Sequence, residues 1–235
     1  MSRPWLFHRT GGTLCLDLAN TVSWRRSERP IERLPEYGDL VEWARQSGVL
    51  TPSAARALRR EARRQPVAAA RVLARARALR EVIYRVFAGL ADGRPPSSAD
   101  LGYLDREFHD AWAHVRLGQT SSGFRLTWAV DDGPALALPL WAAARSVAEA
   151  LTAAAPDRIK TCPASNCGWV FIDTTRSGTR RWCAMEACGS RAKAREYYAR
   201  RRRGRRARRS LDQAQAVPVS RRRPTGRTKT PVSDR

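Results

Sequence analysis

The stretches Cys162-Pro-Ala-Ser-Asn-Cys167 and Cys183-Ala-Met-Glu-Ala-Cys188 are two cysteine pairs with the same spacing, separated by 15 residues. Zn²⁺ prefers four tetrahedral ligands, and two tight turns can supply four thiolates without any other residue. The pattern therefore predicts a closed site for one structural Zn²⁺ ion. A catalytic zinc site is not expected, because such sites keep an open position and usually include histidine or carboxylate. The predicted ligands are Cys162, Cys167, Cys183 and Cys188.

The residues around the two pairs fit a small metal-stabilised module. Pro163, Gly168 and Gly189 each follow a cysteine directly, where the backbone must turn sharply around a ligand. The apolar run at residues 169–172 predicts a short strand, and together with Trp182 it would shield a site too small to have its own core. We expect a small treble-clef or ribbon-like zinc module with four cysteine ligands.

The charge of the chain is large and unevenly distributed. Lys and Arg number 44 and Asp and Glu 22, so the formal net charge is +22. From residue 158 onward there are 22 Lys or Arg against five acids, whereas residues 1–157 hold 22 against 17. This imbalance indicates a polyanionic partner, and nucleic acid is the expected one. An acidic membrane surface is disfavoured, because residues 200–209 offer almost no apolar side chains for insertion into lipid.

The sequence after the last cysteine predicts a basic helix over residues 190–203, with no helix breaker before Gly204. Arginine can bind phosphate or guanine bidentately, so this helix is expected to contact the major groove or the phosphate backbone of DNA. Arg176, Arg180 and Arg181, in the loop between the pairs, are expected to add phosphate contacts. The residues on its two neighbouring faces are Arg191, Arg195, Tyr198 and Arg202, and Lys193, Tyr197 and Arg201.

Residues 1–157 carry the periodicities of a mostly helical domain with little strand, so the expected fold class is mainly α with a small β component (α+β). Leu14, Leu16 and Leu18 occupy alternate positions, which favours a short strand, although Asp17 and Asn20 could equally cap a turn. Helices are predicted at residues 35–47, from Pro52 after the N-cap Thr51, at 67–90, from Ser98, and at 138–154. A polar turn is predicted at residues 118–123, and a half-buried strand at 124–130.

The composition, with 43% hydrophobic residues, fits one globular domain of roughly 150 residues with an appended module. We predict a mostly helical domain at residues 1–157, the zinc module with its helix at 158–204, and a disordered Arg-rich tail at 205–235. The chain shows neither a run of roughly 18 apolar residues nor a signal peptide, so a cytoplasmic location is expected. In that reducing compartment paired cysteines favour metal over disulfide, and the unpaired Cys15 is predicted to be a buried apolar residue.

Candidate catalytic residues are few, and the chain is not expected to be an enzyme. His109 and His114 are five residues apart and do not share a helix face, so they and His8 are interpreted as surface or packing residues. The pair Asp131-Asp132 is interpreted as two residues that favour a turn rather than as a catalytic carboxylate dyad. Gly11-Gly12 lacks the third glycine of a nucleotide-binding fingerprint.

Two segments of the chain also carry a resemblance to known families. The run Cys162-Pro-Ala-Ser-Asn-Cys167-Gly-Trp-Val-Phe-Ile-Asp173, followed by Arg180-Arg-Trp-Cys-Ala-Met185 and Cys188-Gly-Ser-Arg-Ala-Lys193, closely resembles the CGNR zinc finger family of bacteria. The run Gly11-Gly-Thr-Leu-Cys-Leu-Asp-Leu-Ala-Asn-Thr21 looks like the opening of the ABATE domain, which usually precedes that finger. Ser190 stands where the family motif has Asn, and Ser177-Gly178 replaces a more usual Asn-Arg.

The resemblance implies a stress-induced transcription regulator whose finger binds DNA, and it assigns a DNA contact to the position of Ser190. Our hypothesis is a nucleoid-associated, zinc-dependent DNA-binding protein whose N-terminal domain forms a homodimer or senses an unknown small-molecule effector. The alternative is an RNA- or ribosome-associated protein, in which exposed Trp and Tyr side chains of the module stack on unpaired bases. The sequence also predicts that Cys183→Ser removes zinc and order after Asp157 while the N-terminal domain stays folded.

Overall fold

The computed structural model describes residues 6–121, 123–129 and 135–215, and the predicted class, mainly α with a small β component, is confirmed. Among these residues no helix is both long enough and apolar enough to cross a bilayer. The helices are α1 (Leu14–Ala19), α2 (Tyr37–Gln46), α3 (Pro52–Arg64), α4 (Pro66–Ala91), α5 (Ser98–Ala113), α6 (Leu138–Ala153) and α7 (Ser190–Gln215). Within the described ranges the strands form three antiparallel pairs: β1 (Val22–Ser23) with β2 (Ile31–Glu32), β3 (Val115–Thr120) with β4 (Gly123–Trp128), and β5 (Ile159–Thr161) with β6 (Val170–Ile172).

The long helix α4 forms the centre of the core. Its side chains at Ala76, Leu79, Ile83 and Phe87 are fully buried, and their spacing of three or four residues places them on one face of the helix. Helices α1, α2, α5 and α6 pack around it. The predicted N-cap of α3 is confirmed, because the Thr51 hydroxyl accepts a hydrogen bond from the amide of Ala54. The predicted helices of the N-terminal region are therefore confirmed.

The predicted strand at Leu14–Leu18 is wrong, because these residues form helix α1. Five of its six residues are buried, so apolar side chains face the core all around the helix. A helix that is buried on every side carries no 3.6-residue hydrophobic period. The alternation of leucines therefore reflected uniform burial rather than a pleated strand.

The β3–β4 hairpin differs from the prediction in two respects. Of the residues expected to form a polar turn at 118–123, the first three belong to β3, which pairs along its full length with β4, and Gly123 is the first residue of β4. Strand β4 was expected to be half-buried, but its first four residues are exposed, and only Thr127 and Trp128 are partly covered. The end of the predicted strand at Val130 and the Asp131-Asp132 turn lie outside the described residues.

The β5–β6 ribbon leads into and out of the first cysteine pair, and it packs against the helical core. Ile159 and Val170 are buried in the same apolar cluster as the side chains of α4 and α6. The side chains nearer the cysteines, including Phe171 and Trp169, form a second cluster around the four sulfurs. The expectation that the helical domain is independent of the zinc module is therefore revised, because the ribbon contributes to the main core.

Helix α7 continues past Gly204, where the sequence predicted its end, as far as Gln215. A single glycine inside a helix costs only about 1 kcal/mol relative to alanine, and the flanking arginines and alanine have high helix propensity. Of the predicted disordered tail, residues 205–215 are helical and residues 216–235 lie outside the described residues. The chain divides into two compact units, residues 1–190 and 191–235.

Candidate metal centre and nucleic-acid interface

The four cysteines predicted to bind zinc lie together in the structure. Their sulfur atoms are all within 4.8 Å of one another, and all four residues are buried. The Cys183 sulfur is 3.7 Å from that of Cys167 and 3.6 Å from that of Cys188. A disulfide requires about 2.05 Å between sulfurs, so these are free thiols rather than bridges.

The sulfur positions fit one tetrahedral Zn²⁺ ion. With a Zn–S bond of about 2.3 Å, two ligands at the tetrahedral angle are about 3.8 Å apart, which agrees with the two short sulfur separations above. Four cysteines leave no coordination position for water or substrate, so the site supplies structure and no chemistry. The prediction of one structural zinc ion is confirmed.

The close approach of the four sulfurs shifts the pKa values of the cysteines. The pKa of Cys162 is lowered to about 2, because its sulfur accepts hydrogen bonds from the thiols of Cys167 and Cys183. The neighbouring Cys162 sulfur raises the pKa of Cys167 to about 12, and the sulfurs of Cys162 and Cys167 also raise the pKa of Cys183. A divalent ion at the centre would favour the thiolate forms of its ligands and offset the repulsion between them.

Backbone amides also point at the sulfurs. The N–H groups of Ala164 and Cys183 donate to the Cys162 sulfur, and that of Trp169 donates to the Cys167 sulfur. The turn at Gly168 has φ +70°, a conformation that favours glycine, and a side chain there would also meet Arg26. Such amide–sulfur hydrogen bonds orient the ligands and stabilise the thiolates.

The loop between the cysteine pairs is organised by the buried carboxylate of Asp173. Burial alone would raise the pKa of Asp173, but the Lys160 ammonium 2.7 Å away, and the hydroxyl and amide of Thr175, hold this pKa well below its usual range. The carboxylate oxygen that accepts from Lys160 also accepts from the amide of Arg180 at 2.8 Å. Lys160 also donates to the Gly178 carbonyl, so one ion pair fixes both ends of the loop. No local sequence pattern predicts this pair, because Lys160 and Asp173 are separated by 13 residues and meet only across the ribbon.

Arg180 was predicted to contact phosphate, but the structure places it inside the module. Its guanidinium donates to the backbone carbonyls of Thr10, Trp182 and Cys183 and lies 4.3 Å from the Phe171 ring centroid. These contacts use Nε and one terminal nitrogen of the guanidinium to hold the second cysteine pair against the N-terminal segment. Arg180 therefore has a structural role, and its contact with phosphate stays a prediction.

Arg176 and Arg181, the other two loop arginines, are exposed. Arg181 lies over the indole of Trp182, 5.2 Å from the ring centroid. This contact holds the stem of the side chain while the charge remains accessible to solvent. Both residues stay candidates for phosphate contact.

The N-terminal segment holds the ribbon through buried hydrogen bonds that the sequence analysis missed. The Asn20 side chain donates to the carbonyl of Val170 at 2.8 Å and accepts from its amide at 3.1 Å. This side-chain amide pairs with strand β6 as a backbone peptide would. The indole of Trp169 donates to the Val22 carbonyl, and the amide of Ile172 donates to Gly11. The only sequence signal for these contacts was the N-terminal motif itself, whose partner lies 150 residues away.

The basic residues of α7 that were predicted to bind nucleic acid are exposed to solvent. The set comprises Arg191, Lys193, Arg195, Arg201 and Arg202. Tyr197 and Tyr198 are also exposed, and their rings meet edge to face at 5.5 Å. Ser190, at the first position of α7, donates a hydrogen bond from its hydroxyl to the carbonyl of Met185. Its side chain is therefore partly engaged in joining the second cysteine pair to the helix.

The remaining candidate residues have packing or surface positions. His114 stacks on Trp141 with ring centroids 3.8 Å apart, and His109 is exposed beside Asp105. His8 is exposed near Trp169, and partial desolvation of its ring lowers its pKa. Cys15 is fully buried, and its pKa is raised to about 12 by that burial, so it is not a reactive thiol.

Two family models match the chain. Residues 12–154 match the ABATE model, described as a "putative stress-induced transcription regulator", and residues 158–201 match the CGNR zinc finger model. No curated protein matches the chain. The first match covers more than half of the sequence and the second contains all four clustered cysteines, so both resemblances seen in the sequence are confirmed.

Proposed function

The chain belongs to the ABATE family and carries a CGNR zinc finger, and from this premise we propose that it is a DNA-binding transcription regulator. In this proposal residues 158–204 contact DNA and residues 1–157 regulate that contact. The zinc ion has a structural role, and no catalytic reaction is assigned to the chain. The protein would act in the cytoplasm, associated with the nucleoid.

The observation that carries the proposal is the charge of helix α7. Between Ser190 and Arg206 the chain has nine Lys or Arg residues and one acid, Glu196. All ten of these side chains are exposed. Like charges at this density repel one another along a helix, and neutralisation by a polyanion relieves that repulsion. A duplex, with one phosphate charge per about 1.7 Å, supplies the matching negative density.

Most of this affinity is expected to come from the phosphate backbone rather than from base contacts. Phosphate contacts position a protein on DNA, whereas sequence is read at base edges by a few side chains. Ser190 replaces the Asn of the family motif, and its hydroxyl is already bonded to Met185. We therefore propose that sequence preference resides in the arginines of α7, with Arg191 and Arg195 nearest its start.

The proposal is tested by measuring binding of the zinc-loaded protein to a fluorescent duplex at several salt concentrations. If about six phosphates are neutralised, a plot of log K against log salt should have a slope near −5. A slope near zero would contradict the proposal. Arg145→Gln is a suitable control, because Arg145 lies on α6 and pairs with Glu149 on the same helix.

The second candidate function is RNA binding, and the exposed Tyr197 and Tyr198 are the observation that favours it. Aromatic rings on a basic surface can stack on unpaired bases, which a duplex does not offer. Structured RNA and duplex DNA of equal length should be compared at the same salt concentration. Tighter binding to RNA, lost in Tyr197→Ala and Tyr198→Ala, would favour the RNA function over the DNA function.

A further inference from the structure

The β3–β4 hairpin has one apolar face and one polar face. Residues paired across an antiparallel ladder lie on the same face, so Leu117, Leu126 and Phe124 lie together, with Val115 and Trp128 at the base of the hairpin. The opposite face carries Arg116, Arg125 and Thr127. The base of the apolar face reaches the core, where Trp128 lies 6.2 Å from Trp141 between ring centroids.

The tip of this apolar face is uncovered. Leu117 is 70% exposed, Phe124 72% and Leu126 41%. Within the part of the chain that the structure describes, no further strand pairs with either edge of the hairpin. A two-stranded hairpin is marginally stable alone, and its apolar face requires packing against another surface.

A groove between α5 and α6 continues the apolar surface. It has a volume of about 500 Å³ and is lined mainly by Leu101, Leu104, Phe108, Val147, Ala148 and Leu151. Phe108 stacks on Trp112 at 5.6 Å, and Trp112, at the end of α5, is 50% exposed. Leu101, Phe108 and Trp112 are spaced by seven and four residues, so they lie on one face of α5. The apolar stripe therefore runs along α5 toward the start of the hairpin.

We propose that a second copy of this chain covers this surface, with the hairpin tip of each protomer seated in the α5–α6 groove of the other. The hairpin presents an apolar projection and the α5–α6 groove an apolar recess, and each protomer has both. If two protomers related by a two-fold axis each place their hairpin in the groove of the other, both grooves are filled and the assembly is a closed dimer. A six-residue strand spans about 20 Å, and the exposure of Leu117 and Phe124 places this end of the apolar face at the surface.

The exposed area agrees with an interface between two copies. A large apolar side chain offers about 150–250 Å² when fully exposed, so Leu101, Trp112, Leu117, Phe124 and Leu126 together expose on the order of 500 Å². This is near the upper limit for a patch on a monomeric protein and about two thirds of the ~800 Å² that each partner contributes to a standard interface. The polar rim of an interface supplies the rest.

The segments outside the described residues match this surface less well than the chain's own hairpin does. Residues 216–235 contain no aromatic residue and no Leu, Ile or Met, and residues 130–134 include the acidic pair Asp131-Asp132. Residues 1–5 offer two large apolar side chains, Met1 and Trp5, beside Arg3. The hairpin offers three such side chains on one face, and a second copy brings both the projection and the recess.

The test is the mass of the full, zinc-loaded protein by sedimentation or light scattering. We expect twice the chain mass of 26.3 kDa at micromolar concentration. The double variant Phe124→Ser, Leu126→Ser removes the projection, and Ala148→Arg fills the groove. Each variant alone should be monomeric with an unchanged far-UV circular dichroism spectrum, because none of these three side chains is buried within the protomer. Arg125→Gln, on the opposite face of the hairpin, is the matched control and should remain dimeric.

Mixing the two monomeric variants tests the reciprocal arrangement itself. A mixed pair retains one intact contact, between the hairpin of Ala148→Arg and the groove of the double variant, whereas each variant with itself retains none. The mixture should therefore form heterodimers more than tenfold more tightly than either variant self-associates. A monomeric wild type, or dimeric variants, would overturn the inference, and DNA binding by such a monomer would leave the proposed function intact.

Discussion

The β5–β6 ribbon and helix α7 are consecutive elements of the chain, but they differ in burial and in charge. The ribbon contributes Ile159 and Val170 to the main core and is held by buried hydrogen bonds from the N-terminal segment. The side chains of α7 that the structure describes beyond Ala192 are all exposed, and most are charged. Burial and specific hydrogen bonds are little affected by salt, whereas exposed charges are screened within a Debye length of about 10 Å at 0.1 M. The ribbon therefore contributes mainly to the stability of the fold, whereas α7 presents a dense positive charge to solvent.

The strongest test of this difference is removal of zinc by chelation or by Cys183→Ser. Because the ribbon shares the core of α4, we expect the whole of residues 6–190 to lose on the order of 5 kcal/mol or more in unfolding free energy, with a large fall in Tm. Circular dichroism at 222 nm and tryptophan fluorescence should report one joint transition. If the helices melted at an unchanged temperature, the ribbon would not be part of the core.

Cys15→Ser is the matched control for the zinc prediction. Cys15 is fully buried in the core and lies apart from the four-cysteine cluster. The variant should retain one zinc ion per chain and lose only about 1–2 kcal/mol of stability, since a buried thiol is replaced by a hydroxyl. Zinc content measured by metal analysis separates the two variants.

The arginines of the loop between the cysteine pairs divide into structural and exposed residues. Arg180→Ala removes the donor to three backbone carbonyls and the contact with Phe171, so we expect a loss of about 3–4 kcal/mol in unfolding free energy. Arg181→Ala should change stability by less than about 0.5 kcal/mol and weaken DNA binding. Urea denaturation and binding titrations of both variants test this division. Equal stability of the two variants would contradict it.

Asn20→Ala removes both hydrogen bonds to Val170 and leaves its buried amide and carbonyl unpaired. We expect a loss of about 3 kcal/mol and faster amide exchange in strand β6. Asn20→Asp keeps the acceptor and loses the donor, so it should be at least as destabilising at neutral pH. Exchange rates in α7 should not change in either variant, and a change there would weaken the contrast between the two regions.

The buried carboxyl group of Asp17 makes the stability of the fold depend on pH, and it is hydrogen-bonded to Gly11, which contacts the ribbon at Ile172. Burial raises the pKa of Asp17 from 3.8 to about 6, while its carboxylate accepts from the amide of Gly11 at 2.8 Å. Between these two values the folded state binds more protons than the unfolded state, so this group makes stability fall as pH rises from about 4 to about 6.

Asp17→Asn keeps an oxygen for the Gly11 amide and removes the titration. The stability of the variant relative to wild type should therefore increase by about 2–3 kcal/mol from pH 4 to pH 7. The difference in unfolding free energy between the two proteins at each pH does not contain the contributions of groups that titrate in both, such as the thiols. A constant difference across this range would show that Asp17 does not titrate there.

The smallest effect is expected for a single arginine of α7. Arg202→Ala should reduce DNA affinity by about 1 kcal/mol, lower the magnitude of the salt slope by about 1, and leave Tm unchanged. Lys193→Ala should behave in the same way if most contacts are with phosphate. A loss confined to particular DNA sequences would instead identify a base contact.

The site was more predictable from the sequence than the packing around it. The zinc ligands could be recognised because the spacing of two cysteine pairs is a local pattern that is typical of metal sites. The strand predicted at Leu14–Leu18 was wrong because α1 is buried on every side and lacks a helical period. The sequence predicted the same role for Arg176, Arg180 and Arg181, because all three are arginines of one loop. Only the fold shows that Arg180 donates to backbone carbonyls. The only signal for Asn20 was its place in the N-terminal motif, since its partner Val170 is 150 residues away in sequence.

The pairing of the Asn20 amide with strand β6 has a consequence for protein engineering. A peptide cut at residue 158 would carry its metal ligands but expose Ile159 and Val170, and the backbone of Val170 would lose its partner. A chimera that receives this finger should therefore also receive the N-terminal run from Gly11 to Thr21. The transplantable unit is discontinuous in sequence, so shuffling the finger alone between related chains should yield insoluble or poorly metallated products.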